Sequence, residues 1–434
     1  MARGGKERKC FTFAKDSINY LFSNYQLYFM PGFELWSDAE RKQVTDVIET
    51  GILMRYGFDG PRKGIWKAKE LEQEICNTFG CQHAQLVSSG TAALTTALIA
   101  LGVGYGDEVI MPAFTFVASF EAVISVGAVP VMVDIDDTLT LDPAAVRNAI
   151  TPQTKVVMPV HMCGSMADMD ALQAICREYK LILLEDACQA IGGTYKGKKL
   201  GTIGDAGTFS FDFVKTITCA EGGVVMTNNK EVFIKSDGYS DHGHDHIGGD
   251  RGAETHPFIG YNFRISELHA AVGLAQIKRL NDFLAIQKKN HTALKSILAT
   301  VPEISFRRIP DPEGDSCTFL SWSLPTAALT NAVAEEMKAQ QILAGNFYYY
   351  NNNWHYIHKW DHLKNAITLN ALSPELKARV MYHANKDFSA SDAIIGRNIS
   401  TAISLTWTEE QIKDKGGKMV AAIKKVLTKQ AVSA

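Results

Sequence analysis

The chain has 434 residues, of which 46% are hydrophobic and 21% are charged. These fractions are ordinary for a globular protein, and the length is sufficient for a large and a small domain. Its 44 basic and 47 acidic residues give a formal net charge of −3, so charge offers no case for binding nucleic acid or a membrane surface.

The cysteines and the N-terminus indicate in which cellular compartment the protein is expected. The eight cysteines show no spacing typical of a disulfide framework, and the close pair Cys76 and Cys81 has no second pair to complete a zinc site. The basic N-terminus is not followed by the apolar core of a signal peptide, and no apolar run is long enough to span a bilayer. We therefore expect free thiols, no metal and a cytoplasmic protein.

The N-terminal part is predicted to be an aromatic arm followed by two helices. Residues 1–35 are rich in Phe and Tyr, which argues against disorder and predicts packing on a neighbouring surface. A helix is expected after Ser37, because Ser37 and Glu40 have the spacing of a capping box. The Gly and Pro content of residues 57–64 predicts a loop, and residues 67–79 read as the second helix.

From residue 84 onwards, predicted strands and helices alternate. The strands cover residues 84–87, 109–111, 129–133, 155–160, 181–184 and 224–227, and the helices cover 92–101, 116–126, 143–150, 168–179 and 265–298. This order predicts an α/β fold with a mostly parallel, doubly wound sheet. We expect a large domain over residues 36–300 and a smaller C-terminal α+β domain over 301–434.

Ligands in such folds bind beyond the carboxyl ends of the strands, where two polar features stand out. Ser89, Gly90 and Thr91 open a helix whose free amides could bind an anion, although an ordinary helix cap is the simpler alternative. Asp186 ends a buried strand and needs a cationic partner, either a pyridinium nitrogen or an arginine elsewhere in the chain.

Two further features depend on apolar residues. Phe116 follows a strand, where it could stack on a flat ring or belong to the core. Lys215 follows several apolar residues, which disfavour a charged amine and suit a Schiff-base lysine; a lysine reaching out of a strand is the alternative. Together with Ser210, five residues before Lys215, these features describe a site for pyridoxal 5′-phosphate (PLP).

The sequence resembles the DegT/DnrJ/EryC1/StrS family of sugar aminotransferases. The motifs that carry the resemblance are Ser89-Gly90-Thr91-Ala92-Ala93-Leu94, Glu185-Asp186-Ala187, Phe209-Ser210-Phe211 ahead of Lys215, Glu221-Gly222-Gly223 and residues 260–267. They keep the family's order from about residue 35 to near the C-terminus. The resemblance implies a fold-type I, PLP-dependent aminotransferase that moves an amino group from glutamate to a keto sugar.

The resemblance also implies roles around the cofactor ring. Lys215 corresponds to the lysine that bonds the cofactor, and Asp186 corresponds to the acid that holds the ring nitrogen protonated. Phe116 matches the aromatic residue over the ring face, and Gln189 matches the residue beside the ring hydroxyl.

The phosphate is expected to lie against Gly90, Thr91 and Ser210. Asn262 matches a residue that reaches the phosphate from the partner subunit. The resemblance therefore implies a homodimer with shared active sites.

The substrate side is less specific. Glu221 and His242 match substrate-side positions, and His242 begins a histidine-rich loop that we interpret as a substrate loop rather than a metal site. The arm and the Tyr/Asn/Trp-rich stretch 346–355 are similar to members that make 8-amino-3,8-dideoxy-manno-octulosonate, for lipopolysaccharide, from 8-oxo-3-deoxy-manno-octulosonate. The carboxylate of that sugar would suit Arg62, Lys63 or His355.

Two alternatives stay open: an aminotransferase for a nucleotide-linked 4-keto-6-deoxy sugar, and a PLP-binding regulator without turnover. The intact Lys215, Asp186 and Ser210 argue against the regulator. The chain also departs from the family pattern, with Phe213-Val214 before the lysine and Ala220 where glycine is usual.

Overall fold

The computed structural model describes residues 31–248 and 251–433, with side chains as far as residue 429 in the last helix. Residues 1–30, most of the predicted aromatic arm, lie outside the described residues. None of the helices in the described ranges is long and apolar enough to cross a membrane.

A seven-stranded sheet forms the centre of the fold. The strands up to residue 227 are β1 (His83–Val87), β2 (Glu108–Pro112), β3 (Val129–Val133), β4 (Thr154–Val157), β5 (Ile182–Asp186), β6 (Thr194–Tyr195), β7 (Lys198–Lys199), β8 (Ala206–Ser210) and β9 (Gly223–Thr227). The sheet has the order β1-β9-β8-β5-β4-β2-β3, and β6 and β7 form a separate hairpin. Only β9 runs antiparallel to its neighbours, so the predicted mostly parallel sheet is confirmed.

Helices cover both faces of this sheet. They are α1 (Pro31–Glu34), α2 (Asp38–Thr50), α3 (Asp59–Arg62), α4 (Lys67–Phe79), α5 (Gly90–Ala100), α6 (Val117–Ser125), α7 (Pro143–Ala149), α8 (Met169–Tyr179), α9 (Lys230–Ser240), α10 (Glu267–Ile277) and α11 (Leu280–Leu298). Strands such as β3, Val-Pro-Val-Met-Val, are buried along their whole length, because helices shield both of their faces.

Local signals explain several helix boundaries. Ser37 and Glu40 form the predicted capping box at the start of α2. Gly80 ends α4 in the left-handed conformation that glycine adopts without steric cost. The prediction of a loop throughout residues 57–64 is wrong, since α3 forms one turn of helix within it.

The elements after residue 300 include a smaller antiparallel sheet and further helices. They are β10 (Ser305–Phe306), β11 (Phe319–Ser323), α12 (Ala327–Ala339), β12 (Asn346–Phe347), α13 (Asp361–Lys364), α14 (Pro374–Ala384), α15 (Ser389–Ile395), β13 (Asn398–Ala402) and α16 (Glu409–Ser433). This sheet has the order β10-β11-β13-β12, and α12 and α16 share its hydrophobic core around Trp322.

The segment 349–395 packs differently from the rest of this C-terminal part. Its buried side chains, including Tyr349, Tyr356 and Trp360, belong to the hydrophobic core of the large sheet. The division of the chain at residue 300 stays a prediction. What matters for function is that this segment brings an aromatic and amide-rich stretch to the large sheet.

Candidate active site

The predicted cofactor residues meet at one edge of the large sheet. Strands β1, β2, β5 and β8 run in the same direction, so their carboxyl ends lie together. Ser89 follows β1, Phe116 follows β2, Asp186 ends β5 and Ser210 ends β8. Segments far apart in the sequence therefore converge on one place.

The start of α5 forms an anion cradle against β8. Ser89 caps this helix, and its Oγ accepts a hydrogen bond from the Ala92 amide at 3.0 Å. A Cβ at Gly90 would lie 2.8 Å from Ser210 Cβ, so only glycine lets the helix start approach Ser210 this closely. Thr91 is exposed in the first turn. The amides of this turn and the Ser210 hydroxyl fit a phosphate group.

Asp186 is a buried carboxylate that, among the described residues, has hydrogen bonds but no ion-pair partner. Its side chain is 4% exposed, as is expected for a strand end inside the fold. Oδ2 accepts a hydrogen bond from Ser119 Oγ at 2.8 Å, and Oδ1 accepts one from the Cys188 amide at 3.2 Å. In the described part of the chain no Lys, Arg or His forms an ion pair with it, so the arginine alternative is not observed there. A protonated ring nitrogen would balance this charge.

Ser119 is a residue that the sequence reasoning missed. It lies in the first turn of α6, and Thr115 Oγ1 lies 2.6 Å from its Oγ, both side chains being buried. The pair holds the Asp186 carboxylate in one orientation. The Thr115–Ser119 spacing of four residues was the available signal, because it places both hydroxyls on one side of a helix start.

Lys215 lies in a turn rather than in a strand. Strand β8 ends at Ser210, and the Lys215 amide donates a hydrogen bond to Asp212 O at 3.0 Å. The Lys215 carbonyl accepts one from the Gly32 amide at 3.0 Å, which fixes the turn from the other side. The side chain is half-buried, while the neighbouring Phe213 and Val214 are exposed rather than packed around it.

Aromatic side chains of the segment 349–395 pack against Phe116, close to Lys215. The Phe116 ring centroid lies 5.2 Å from that of His355 and 6.0 Å from that of Trp354. Amides on either side of Phe116 donate hydrogen bonds to the His355 and Trp354 carbonyls. Burial and the positive charge of Lys215 lower the pKa of His355 to about 3, so its imidazole is neutral near pH 7. His355 was predicted from the sequence; Trp354 was not singled out.

Cys188 and Gln189 follow the carboxyl end of β5, next to Asp186. Gln189 is half-buried, and its Oε1 accepts a hydrogen bond from the Cys163 amide at 3.0 Å. Burial and the nearby Asp186 raise the pKa of Cys188, so this thiol stays protonated. Its neutral form adds no charge beside the carboxylate.

The segment that carries Asn262 runs along the outer side of the cradle. Its neighbour Phe263 accepts a hydrogen bond from the Ser88 amide at 2.7 Å. The side chains of Asn262, Glu221 and His242 are exposed. Their roles toward a partner subunit or a substrate stay predictions.

Arg62 has a different environment from the one expected of a substrate residue. It is fully buried, its Nε donates to Gly57 O at 2.6 Å, and its guanidinium stacks 3.9 Å from the Trp66 ring centroid. Nη1 lies 3.4 Å from the buried carboxylate of Glu267. The predicted contact of Arg62 with a substrate carboxylate is therefore not supported, because the side chain is buried, its Nε and Nη2 donate to carbonyls of its own segment, and Nη1 faces Glu267. Lys63 is exposed.

Ala220, which stands where the family usually has glycine, keeps a backbone conformation that favours glycine. It has φ of +69°, in the left-handed region that favours glycine. An alanine there costs about 1–2 kcal/mol of backbone strain. The left-handed backbone conformation at this position is therefore kept although the residue is alanine.

The histidine-rich loop contains an ion-pair network. His246 Nδ1 lies 2.7 Å from Asp237 Oδ2, and its Nε2 lies 3.0 Å from Asp241 Oδ2. Arg251 and Arg264 also contact the buried Asp241. The sequence predicts a substrate loop here, whereas His246 is engaged with two carboxylates of its own chain.

We expect this network to make stability depend on pH. Burial alone would lower the pKa of His246, but hydrogen bonds from its ring to Asp237 and Asp241 raise it to about 9. The folded-state pKa exceeds the ordinary value, so this stabilisation is complete below about pH 6.5 and is lost as the pH rises through about 9. The free energy of unfolding should fall by about 1–3 kcal/mol over that range.

Chemical unfolding at several pH values measures this effect. His246→Gln should flatten the dependence, whereas His244→Gln should keep it, since burial and the charge of Arg251 lower the pKa of His244. An unchanged slope in His246→Gln would show that another group is responsible.

The described residues fit PLP as a cofactor. The Gly90–Ser210 cradle has the close approach that a phosphate requires, and Asp186 offers a buried carboxylate for a ring nitrogen. Phe116 and Lys215 occupy the same edge of the sheet. Without a cofactor, the Asp186 carboxylate would lack a balancing positive charge among the described residues, and the amides at the start of α5 would have no anion to bind.

Comparison with known proteins gives the same assignment. The family model of the DegT/DnrJ/EryC1/StrS aminotransferase family matches residues 37–392. GDP-perosamine synthase from Caulobacter vibrioides is 41% identical over 221 residues, which cover 51% of this chain and 58% of that relative. The match thus spans less than two thirds of the relative's length.

Solved structures extend the similarity over the whole fold. The crystal structure of 3-amino-5-hydroxybenzoic acid synthase is 30% identical with a TM-score of 0.74, covering 90% of this chain and 97% of that one. The aminotransferase from Psychrobacter cryohalolentis is 25% identical with a TM-score of 0.77, covering 92% and 99%. The predicted fold-type I α/β architecture is confirmed. With most of its length matched by the family model, the chain belongs to the DegT/DnrJ/EryC1/StrS aminotransferase family, whose members use PLP.

Proposed function

We propose that this protein transfers an amino group from glutamate to a keto sugar with PLP as cofactor. The observation that carries the proposal is the buried Asp186 carboxylate, which lies at the same sheet edge as the Gly90–Ser210 cradle and Lys215. When bound, PLP supplies an electron sink for the carbon that gains or loses the amino group. The chain's own residues must then place it and move protons.

Each residue has a distinct task in this proposal. The amides of Gly90 and Thr91 and the Ser210 hydroxyl bind the phosphate, and Asp186 holds a proton on the ring nitrogen. Lys215 would hold the cofactor through its amine and would carry a proton to and from the substrate carbon. His355 Nδ1 lies 3.1 Å from Asn352 Oδ1, which also accepts from the Trp354 amide, so the neutral ring donates through Nδ1 and its Nε2 can accept a hydrogen bond from a substrate hydroxyl.

We further propose 8-oxo-3-deoxy-manno-octulosonate as the acceptor. A carboxylated polyol suits the amide and aromatic groups of Asn352, Trp354 and His355, and we propose that its carboxylate is met by the exposed Lys63. The name of the Caulobacter relative refers instead to a GDP-linked sugar, which would need a groove for a base and a diphosphate. The acceptor must therefore be tested directly.

A coupled assay of glutamate conversion to 2-oxoglutarate, run over a panel of keto sugars, tests the proposal. We expect turnover with the octulosonate and little with a GDP-linked 4-keto-6-deoxy sugar. A strong preference for the GDP-linked sugar would refute the octulosonate assignment and keep the aminotransferase. Tight PLP binding without turnover on any acceptor would favour the regulator.

We expect Lys63→Ala to weaken substrate binding and Arg62→Ala to lower the stability of the fold. Loss of the Lys63 ammonium should raise the KM for the octulosonate about tenfold or more, with the glutamate half-reaction unchanged. Arg62→Ala leaves Glu267 buried without its partner and should lower the free energy of unfolding by about 3–5 kcal/mol. Steady-state kinetics and denaturant unfolding of both variants distinguish these effects. Wild-type KM in Lys63→Ala would remove the support for a carboxylated acceptor from this loop.

The protein is proposed to act as a homodimer with shared sites. Asn262 is exposed, as it must be if it reaches the phosphate of a partner subunit. Mixing Lys215→Ala and Asn262→Ala subunits should then restore activity, because some hybrid sites carry neither change. Activity of the mixture is compared with that of each parent, and light scattering measures the mass. A fully active monomer would contradict shared sites.

We also propose that the enzyme is cytoplasmic. The seven described cysteines are all free thiols, which suits a reducing compartment.

A further inference from the structure

A cluster of three potential metal ligands lies outside the proposed active site. His291 belongs to α11, and Asp315 and Cys317 belong to the loop that follows the turn Pro312–Gly314. One ligand atom from each residue lies within 4.8 Å of the other two. Imidazole nitrogen, carboxylate oxygen and thiolate sulfur are the donors that Zn²⁺ accepts in proteins.

The imidazole of His291 is the second observation that points to a ligand. The side chain is 8% exposed, and no residue in the described ranges forms a hydrogen bond with its ring. The ring nitrogens keep some contact with solvent, so a lone pair of this mostly buried imidazole is available to a metal ion. The ring lies close to a thiol and a carboxyl group, and neither of these forms a hydrogen bond with it.

The loop holds the other two ligands in place. The Cys317 amide donates to Asp315 Oδ1 at 3.2 Å, which orients the carboxylate. Ser316 Oγ donates to Gly164 O at 2.7 Å and anchors the loop between the two ligands. Tetrahedral coordination at ordinary zinc bond lengths places ligand atoms about 3.3–3.6 Å apart, so closure of about 1.5 Å at most is sufficient.

Charges of both signs surround the place where a divalent ion would bind. Lys288, Lys295 and Arg307 lie near Asp315, which would repel an added positive charge. A thiolate and a carboxylate together carry two negative charges, so the ion and these two ligands form a neutral set once binding has released the Cys317 thiol proton to solvent. We propose that His291, Asp315 and Cys317 bind one Zn²⁺ ion, which ties α11 to the loop at Asp315–Cys317.

Zinc binding to the PLP-loaded protein tests this site. The protein is dialysed against a chelator, equilibrated with Zn²⁺, and analysed for zinc bound per chain. Wild type should bind one equivalent more than Cys317→Ala, and His291→Ala should bind at least about tenfold more weakly than wild type. Zn²⁺ should also raise the midpoint of thermal unfolding of wild type by at least about 2 °C.

Cys219→Ala is the matched control, because Cys219 is a buried thiol whose pKa is raised by burial without an ionisable neighbour. It should bind zinc as the wild type does. Asp315→Asn provides a variant of nearly unchanged volume, and circular dichroism checks that each variant is folded. Equal zinc binding by wild type and a folded Cys317→Ala or Asp315→Asn would overturn the proposal.

Discussion

Replacement of Lys215 by alanine should reduce the rate of amino transfer by about 10⁴-fold or more. The variant loses both the amine that bonds the cofactor and the base that moves the proton at the substrate carbon. The turn that carries Lys215 is held by its own backbone bonds to Asp212 and Gly32, so the fold should be unaffected. Single-turnover kinetics of the glutamate half-reaction measure the loss.

The location of the bond to the cofactor can be measured independently. Borohydride reduction of the wild type followed by peptide mapping should place the mass of the cofactor on Lys215. Lys198→Ala, at an exposed lysine of the β6–β7 hairpin, should keep full activity. Amino transfer by Lys215→Ala at the rate of the wild type would refute the assignment.

The second large effect is expected at Asp186. Asp186→Asn keeps the shape of the side chain but removes the charge that holds the ring nitrogen protonated. We expect PLP to stay bound through the Gly90–Ser210 cradle while the rate falls by at least about 10²-fold, since the lost electrostatic interaction acts where charge develops. Cofactor content and the rate of the glutamate half-reaction are measured on the same sample.

Ser119→Ala is the graded control for this prediction. It removes the hydrogen bond to Asp186 Oδ2 and leaves the charge, which corresponds to about 1 kcal/mol, or several-fold in rate. A loss in Ser119→Ala equal to that in Asp186→Asn would mean that orientation, rather than charge, is the function of the carboxylate. Near-normal activity in Asp186→Asn would show that the partner of the ring nitrogen is another group.

Much of the scaffold could be predicted from the sequence, because its signals are local. The capping box of Ser37 and Glu40, the end of α4 at Gly80 and the uniformly apolar β3 each depend on a few consecutive residues. The alternation of strands and helices then predicts which chain ends share an edge of the sheet. Ser89, Asp186 and Ser210 are brought together at that edge as expected.

The tertiary structure decided what the remaining polar residues do. Arg62 and Lys63 are adjacent and both cationic, yet one is buried against Glu267 and the other is exposed. Nothing within a few residues of Arg62 indicates this, because its partner carboxylate belongs to the distant helix α10. The hydrogen bond from Ser119 to Asp186 likewise joins two elements that are separate in sequence.

The same distinction applies to the wall of the site and to the proposed zinc ligands. His355 reaches Phe116 only because the segment 349–395 packs on the large sheet instead of staying with its sequence neighbours. His291 meets Asp315 and Cys317 only when α11 and the following loop are folded. The sequence by itself determined the elements, the cofactor motifs and the family, since these depend on local patterns. Burial and long-range packing, which depend on the whole chain, decided which charged and polar groups are free to bind a ligand.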